Sequence, residues 1–217
     1  MQTFFDSFQI ITLIAFLVVF IGRSIFLYFQ HGINPLVLGV GKGGLRRLTE
    51  IGFFIGLVLW IYEVAATALH WQTRIFGGFF ITVILDSTMA KTIGTILVTC
   101  GFALFVLALI AFGQSWRVGI DERTPGELIT HGVFAYSRNP IFLFIDLYFT
   151  GTFLINGTIF FLLAALIVLV GIHYQILQEE NFLSQHYEDP YQSYCNTVGR
   201  YFTWKRGRLL ERNSSRV

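Results

Sequence analysis

The residues able to do chemistry fall in two stretches remote from one another in the chain. The first is His131–Phe142, "HGVFAYSRNPIF", preceded by Glu127; the second runs from Gln175 through Glu179 and Glu180 to Arg200. Together they offer carboxylates, guanidinium groups, amides, a histidine and Tyr136, a set suited to gripping a charged ligand. The sequence carries no phosphate-cradling glycine loop, no HExxH, no CxxC and no G-x-S-x-G. Its five histidines, at 31, 70, 131, 173 and 186, have no ligand spacing, so no metal site is expected. Each residue also has a plainer reading. Arg138 at a membrane boundary serves equally well as a snorkelling anchor or a lipid-phosphate contact. His131 is an ordinary loop residue. Glu179-Glu180 reads as a solvated helix exit, although acids near a helix C-terminus oppose the macrodipole and hint at a specific partner.

The elements that must position these residues are set by composition. Of 217 residues, 54% are hydrophobic and only 13% charged, about half the charged fraction of a soluble domain. Apolar runs occur at Phe8–Phe29, Ile51–Leu69, Thr92–Phe112, Ile141–Leu154 and Gly157–Leu177, and a span needs roughly 20 residues. The fold class is therefore all-α and polytopic in the membrane, with about five spans. Ile155-Asn156-Gly157 is a tight turn signal, so spans four and five form a helical hairpin. A shorter run, Ile75–Leu85, is expected to be interfacial, re-entrant or an extension of a neighbouring span. Asp189-Pro190 reads as the start of a further, C-terminal helix with Tyr187, Tyr191, Tyr194 and Val198 on one face. That helix either lies against the membrane or folds over the hairpin. Cys100 and Cys195 give no disulfide framework. The N-terminus lacks the basic region and cleavage site of a signal peptide, so the first run is expected to stay as a span.

Charge distribution orients the chain. Twelve Lys and Arg residues lie in segments 30–50, 113–140 and the tail, against Arg74 and Lys91 on the other side, with Arg23 inside the first span. The positive-inside rule puts the N-terminus outside and the 113–140 loop and the tail in the cytosol. The two polar stretches then meet at one cytosolic surface. Arg23, Glu63 and Asp146 lie within spans, where ionisable groups are costly and face inward; they either pair with one another or, for Asp146, border the pocket. The net charge of +2 gives no nucleic-acid signal, and nothing in the sequence speaks to oligomeric state.

The run Gly126–Phe142, the hairpin, Glu179-Glu180-x-x-Leu183, Tyr191-x-x-Tyr194 and Val198-x-Arg200 resembles the isoprenylcysteine carboxyl methyltransferase family, within a wider group that includes membrane phospholipid methyltransferases. "SWRVGIDE" at Ser115–Glu122 is similar to a bacterial branch. The resemblance covers roughly residues 113–203. It divides the chain into N-terminal spans, 1–112, and a methyltransferase-like core, 113–217. It implies methyl transfer from S-adenosylmethionine to a lipophilic or prenylated acceptor at the cytosolic face of the bilayer. On this resemblance Gly126, Glu127, Leu128, Ile129, Gly132, Phe134, Tyr136, Asn139, Pro140, Ile141, Phe142 and Glu179 are the expected cofactor-binding residues. Arg138, Glu180 and Arg200 are the expected catalytic ones, and Gln175 faces the substrate. The residue types agree with that chemistry: a carboxylate suits ribose hydroxyls and an ammonium, and aromatic faces suit a sulfonium cation.

Departures from the family pattern fall at three kinds of position. Asn139 stands where the family usually has His, and Phe134 and Phe142 where it has Tyr. Gln175 replaces an Arg that grips the prenylcysteine carboxylate, and a neutral amide is a poor clamp for an anion. The acceptor is then either not a prenylated cysteine, or Arg200 supplies the missing charge. Two rival readings remain: an NADPH-dependent membrane reductase with a similar hairpin, and a non-catalytic membrane scaffold.

Overall fold

The computed structural model describes residues 1–31, 44–113 and 128–203. Within them the chain forms five helices: α1 (Gln2–His31), α2 (Gly44–Ala68), α3 (Thr88–Phe112), α4 (Pro140–Asn156) and α5 (Ile159–Thr197). No strand occurs among the described residues, as lipid demands of any chain that cannot close a barrel. α1, α2, α3 and α5 are long and apolar enough to cross a membrane, while α4 has 17 residues, or about 25 Å at 1.5 Å each. The protein is thus an all-α polytopic membrane protein. Hydroxyls on the apolar helices bond back to the preceding turn, as Thr12 does to the Phe8 carbonyl (2.9 Å) and Thr152 to that of Tyr148 (2.7 Å). These hydroxyls thereby spend their hydrogen bonds within the helix rather than on lipid.

α3 and α4 make the closest helix pair. A Cβ added at Gly94 would lie 2.5 Å from the Gly151 carbonyl oxygen, and one at Gly151 would lie 2.7 Å from that of Gly94. Small residues let two backbones approach where lipid provides no hydrophobic drive. Around this contact packs an aromatic core: Phe105 stacks on Phe144 with centroids 4.7 Å apart, and Trp60 stacks on Phe149 at 4.3 Å.

The α4–α5 turn takes the form its sequence predicts. Gly157 adopts φ +64°, and a Cβ there would meet the Leu85 carbonyl oxygen at 1.7 Å, so only glycine fits. The run 75–85 is neither a span nor a helical extension. It is irregular, with one 3-10 turn at Gly78–Ile81, and its end clips onto the hairpin turn through the Ile84 N–H donating to the Gly157 carbonyl (2.8 Å).

Of the two alternatives left open for Arg23, Glu63 and Asp146, pairing with one another is not found among the described residues. Glu63, fully buried, pairs with Arg74 at 2.7 Å and also accepts the backbone N–H of Ile75 at 3.0 Å. Arg23 donates to the Gly113 carbonyl at the end of α3. Asp146 keeps a buried carboxylate oxygen without a hydrogen-bond partner. The partners of Glu63 and Arg23 are backbone groups and a loop arginine, which hydropathy patterning does not register.

The expected C-terminal helix is present: α5 is two helices joined across a break, and the second follows from Asp189-Pro190 as the sequence predicts. The break falls at Glu188 (φ 44°, ψ −121°), two residues before Pro190. Proline has no N–H and crowds the carbonyl four residues back, so the helix cannot run straight through. Past the kink, Tyr191, Tyr194 and Val198 are buried together, with Leu128 packed against them. The segment folds over the loop before α4.

Candidate active site

The polar residues converge where α3 ends, α4 begins and α5 leaves its apolar run. From Leu128 the chain leads to a 3-10 turn, Gly132–Ala135, then through Tyr136–Asn139 into α4. Gly132 sits at φ +62° against Ala111, and Phe134 is buried edge-to-face on Phe112 at 4.7 Å. From the other side the Tyr194 hydroxyl donates to the Phe134 carbonyl at 2.6 Å. The loop is therefore held by α3 beneath and the kinked end of α5 above.

Asn139 occupies the N-cap of α4 and Pro140 its first turn. The Asn139 side chain does not cap its own helix. It donates to Glu180 Oε1 (3.2 Å) and to the Arg200 carbonyl (3.2 Å), while Ser137 Oγ accepts the Asn139 N–H at 3.1 Å. Glu180 is the hub. Arg138 reaches its Oε1 at 3.1 Å, and Arg200 gives two bonds to its Oε2, at 3.0 Å from Nε and 2.8 Å from Nη2. Charge-assisted bonds of this kind are about twice as strong as neutral ones, and the Glu180 carboxylate raises the Arg200 pKa above its ordinary value. A guanidinium nitrogen of Arg138 also contacts Cys195 Sγ.

Backbone bonds complete the clasp. The Arg138 N–H donates to the Gly199 carbonyl (3.1 Å), and the Thr203 N–H donates to the Tyr136 carbonyl (2.7 Å). The tail thus runs alongside the loop, and Tyr201 enters the apolar core while its hydroxyl meets His173 Nδ1 at 2.6 Å.

Glu179 stands apart from this network. It is partly buried beside Glu180, yet among the described residues it forms no hydrogen bond or ion pair. Gln175, also partly buried, lies one turn back on the same face of α5. Tyr136 is 44% exposed and leaves its ring accessible. A free carboxylate, a neutral amide and an open aromatic face remain for a ligand, and within the clasp the buried Arg138 Nε and Tyr191 hydroxyl have no hydrogen-bond partner among the described residues.

The structure therefore brings together Tyr136, Arg138, Asn139, Glu180 and Arg200, with Glu179 adjacent. Other expected residues are committed to packing: Phe134 to Phe112, Leu128 to the tyrosine cluster, and Ile141 and Phe142 to the main core. Gly126 and Glu127 lie outside the described residues, as do the Ser115–Glu122 stretch and the tail beyond 203. Sequence reasoning missed Ser137, Cys195, His173, Tyr201 and Thr203. Ser137 was visible inside the quoted loop, but the others act through tail contacts that no local pattern announces.

Among known proteins, residues 89–190 match the family model described as phospholipid methyltransferase. No curated protein and no solved structure matches the chain. The matched stretch takes in α3, the loop, α4 and α5 as far as Pro190. It begins upstream of the expected resemblance and stops before Val198-x-Arg200. It contains the loop, the hairpin and Glu179-Glu180, the elements that build the polar cluster. Residues 89–190 are accordingly similar to the phospholipid methyltransferase family, within the wider group of membrane phospholipid and isoprenylcysteine methyltransferases.

Proposed function

We propose that the protein transfers a methyl group from S-adenosylmethionine to a lipophilic acceptor, an isoprenylcysteine carboxylate-like or other small lipid, at the cytosolic face of the membrane. The observation that carries this reading is the partly buried Glu179, without a partner among the described residues, beside a fully partnered Glu180. A carboxylate in such a recess is costly unless a ligand completes it, and a hydroxyl pair or ammonium of the cofactor does so. When bound, the cofactor supplies a methyl group made electrophilic by its sulfonium.

The chain's own residues then bind, orient and exclude water. Glu179 holds the polar part of the cofactor, and the Tyr136 ring offers its face to the positive charge. The backbone of Gly126–Ile129 would join them, with Gly126 and Glu127 outside the described residues. Arg138, Glu180 and Arg200, expected above as catalytic, have their charges directed at one another, which favours a positioning role: they lock loop to helix so that the recess keeps its shape. Gln175 faces the acceptor and offers an amide, which fits a neutral or hydrogen-bonding acceptor better than a bare carboxylate. Methyl transfer to an ionised acceptor, or to a thioether that has no proton to lose, needs little proton transfer, so most of the rate comes from in-line positioning, where effective molarities reach about 10⁵ M or more.

Sidedness follows from the basic excess of segments 30–50, 113–140 and the tail. The test is calorimetric titration of purified protein with S-adenosylmethionine and with its demethylated product, beside NADPH as a control. Binding of the first two and not the third supports the reading. Stabilisation by NADPH alone would replace it with the reductase alternative.

A further inference from the structure

Arg23 is a cation within the C-terminal third of the apolar helix α1, and its surroundings leave it incompletely satisfied. It lines an open groove of about 360 Å³ between α1 and α3, walled by Val19, Gly22, Phe26, Val106 and Leu109. One guanidinium nitrogen donates to the Gly113 carbonyl, and the group sits 5.6 Å above the Phe26 ring. Its Nε is buried with no hydrogen-bond partner, and among the described residues Arg23 makes no ion pair. Gly22, next to it, faces open space: a Cβ there would meet nothing within 4 Å. An apolar trough thus runs up to a positive charge with no counter-charge among the described residues, at the end of α3 that leads toward the candidate active site.

We propose that this groove binds an anionic phospholipid, one acyl chain lying between α1 and α3 and its phosphate against Arg23. The site is distinct from the methyl-transfer site and does not depend on it. A zwitterionic lipid would fill the trough equally well but bring no net charge, so headgroup charge is what selects the occupant. A cation within a span satisfied, among the described residues, by a neutral carbonyl and a ring face is rare without a further partner. Lipid phosphate is the anion available at that depth, and each basic residue near an anionic surface contributes about 1 kcal/mol.

The test uses the full chain in detergent micelles, with dioleoylphosphatidylglycerol and dioleoylphosphatidylcholine as probes. Retained lipid is read by native mass spectrometry and stabilisation by thermal melting. The expected result is an approximately five-fold preference for the anionic lipid, kept by Arg23→Lys and reduced to about one-fold in Arg23→Ala. Gly22→Leu, which fills open space and favours the helix, should weaken retention of both lipids while leaving the fold intact. Soluble glycerol 3-phosphate should give no shift. Equal retention of the two lipids by the unaltered protein, a preference that survives in Arg23→Ala, or the same shift from glycerol 3-phosphate would overturn the proposal.

Discussion

Arg200 reaches back from the tail and gives two hydrogen bonds to the same carboxylate oxygen of Glu180, at 3.0 and 2.8 Å. That contact joins a residue beyond the end of α5 to one within it, while Arg138 holds the other oxygen at 3.1 Å. Loop, helix and tail are thereby tied together beside the partly buried Glu179.

Glu180→Ala should therefore loosen the unit as a whole. Arg138 is 88% buried by its neighbours and would lose its counter-charge. The cost should be about 2–3 kcal/mol, tempered because the Arg200 side chain is 35% exposed and screened by solvent. Thermal melting in micelles checks it. A melting temperature unchanged from the unaltered protein would mean the ion network is ornamental.

At the opposite end of the bundle, Glu63→Gln should be more damaging. Glu63 is fully buried and compensates Arg74 at 2.7 Å while taking the N–H of Ile75. Breaking such a pair from one side leaves an unpaired buried charge, at a cost of about 3–5 kcal/mol. The same melting assay should show a larger drop than Glu180→Ala gives. Because this site lies away from the recess, cofactor affinity in the surviving folded fraction should not change.

Gly157→Ala tests the hairpin turn. The backbone is left-handed there, and the new methyl group would sit 1.7 Å from the Leu85 carbonyl oxygen. The left-handed conformation alone costs about 1–2 kcal/mol, and the clash adds to it, so expression in a folded form should fall sharply. Size-exclusion profiles and melting together report the outcome, and a variant as stable as the parent would contradict the turn geometry.

Tyr194→Phe removes a 2.6 Å hydrogen bond to the Phe134 carbonyl without changing the shape of the tyrosine cluster. A buried carbonyl left unsatisfied costs about 1–3 kcal/mol. Hydrogen exchange should quicken in residues 128–136 more than in α3 or α4. Equal protection throughout would show that the kinked end of α5 does not restrain the loop.

Much of this architecture is legible in the sequence because lipid simplifies the problem. Long apolar runs must be helices, and Asn156-Gly157 must turn, so the five helices and the hairpin follow from hydropathy and one glycine. The meeting of the His131–Phe142 loop with Glu179-Glu180 follows from that hairpin. What pattern reading misses depends on contacts made by irregular chain. Ile75–Leu85 is too short to be decided by length, and its fate rests on a clip to Gly157. Arg23 and Glu63 look like mutual partners only until backbone groups and Arg74 are counted as competitors. The division of labour between Glu179 and Glu180 is equally invisible in a dipeptide of identical residues, because it is made by Arg138, Asn139 and Arg200 all choosing one of the two.

That division gives the most direct test. Titration of purified protein with S-adenosylmethionine should show saturable binding in the parent, weakened about ten-fold or more by Glu179→Ala, as expected for losing about 1.4 kcal/mol or more of charge-assisted contact. In Glu179→Ala the melting temperature without cofactor should not fall, since Glu179 has no partner to lose among the described residues. No binding at millimolar cofactor, or unchanged affinity in Glu179→Ala, would contradict the account.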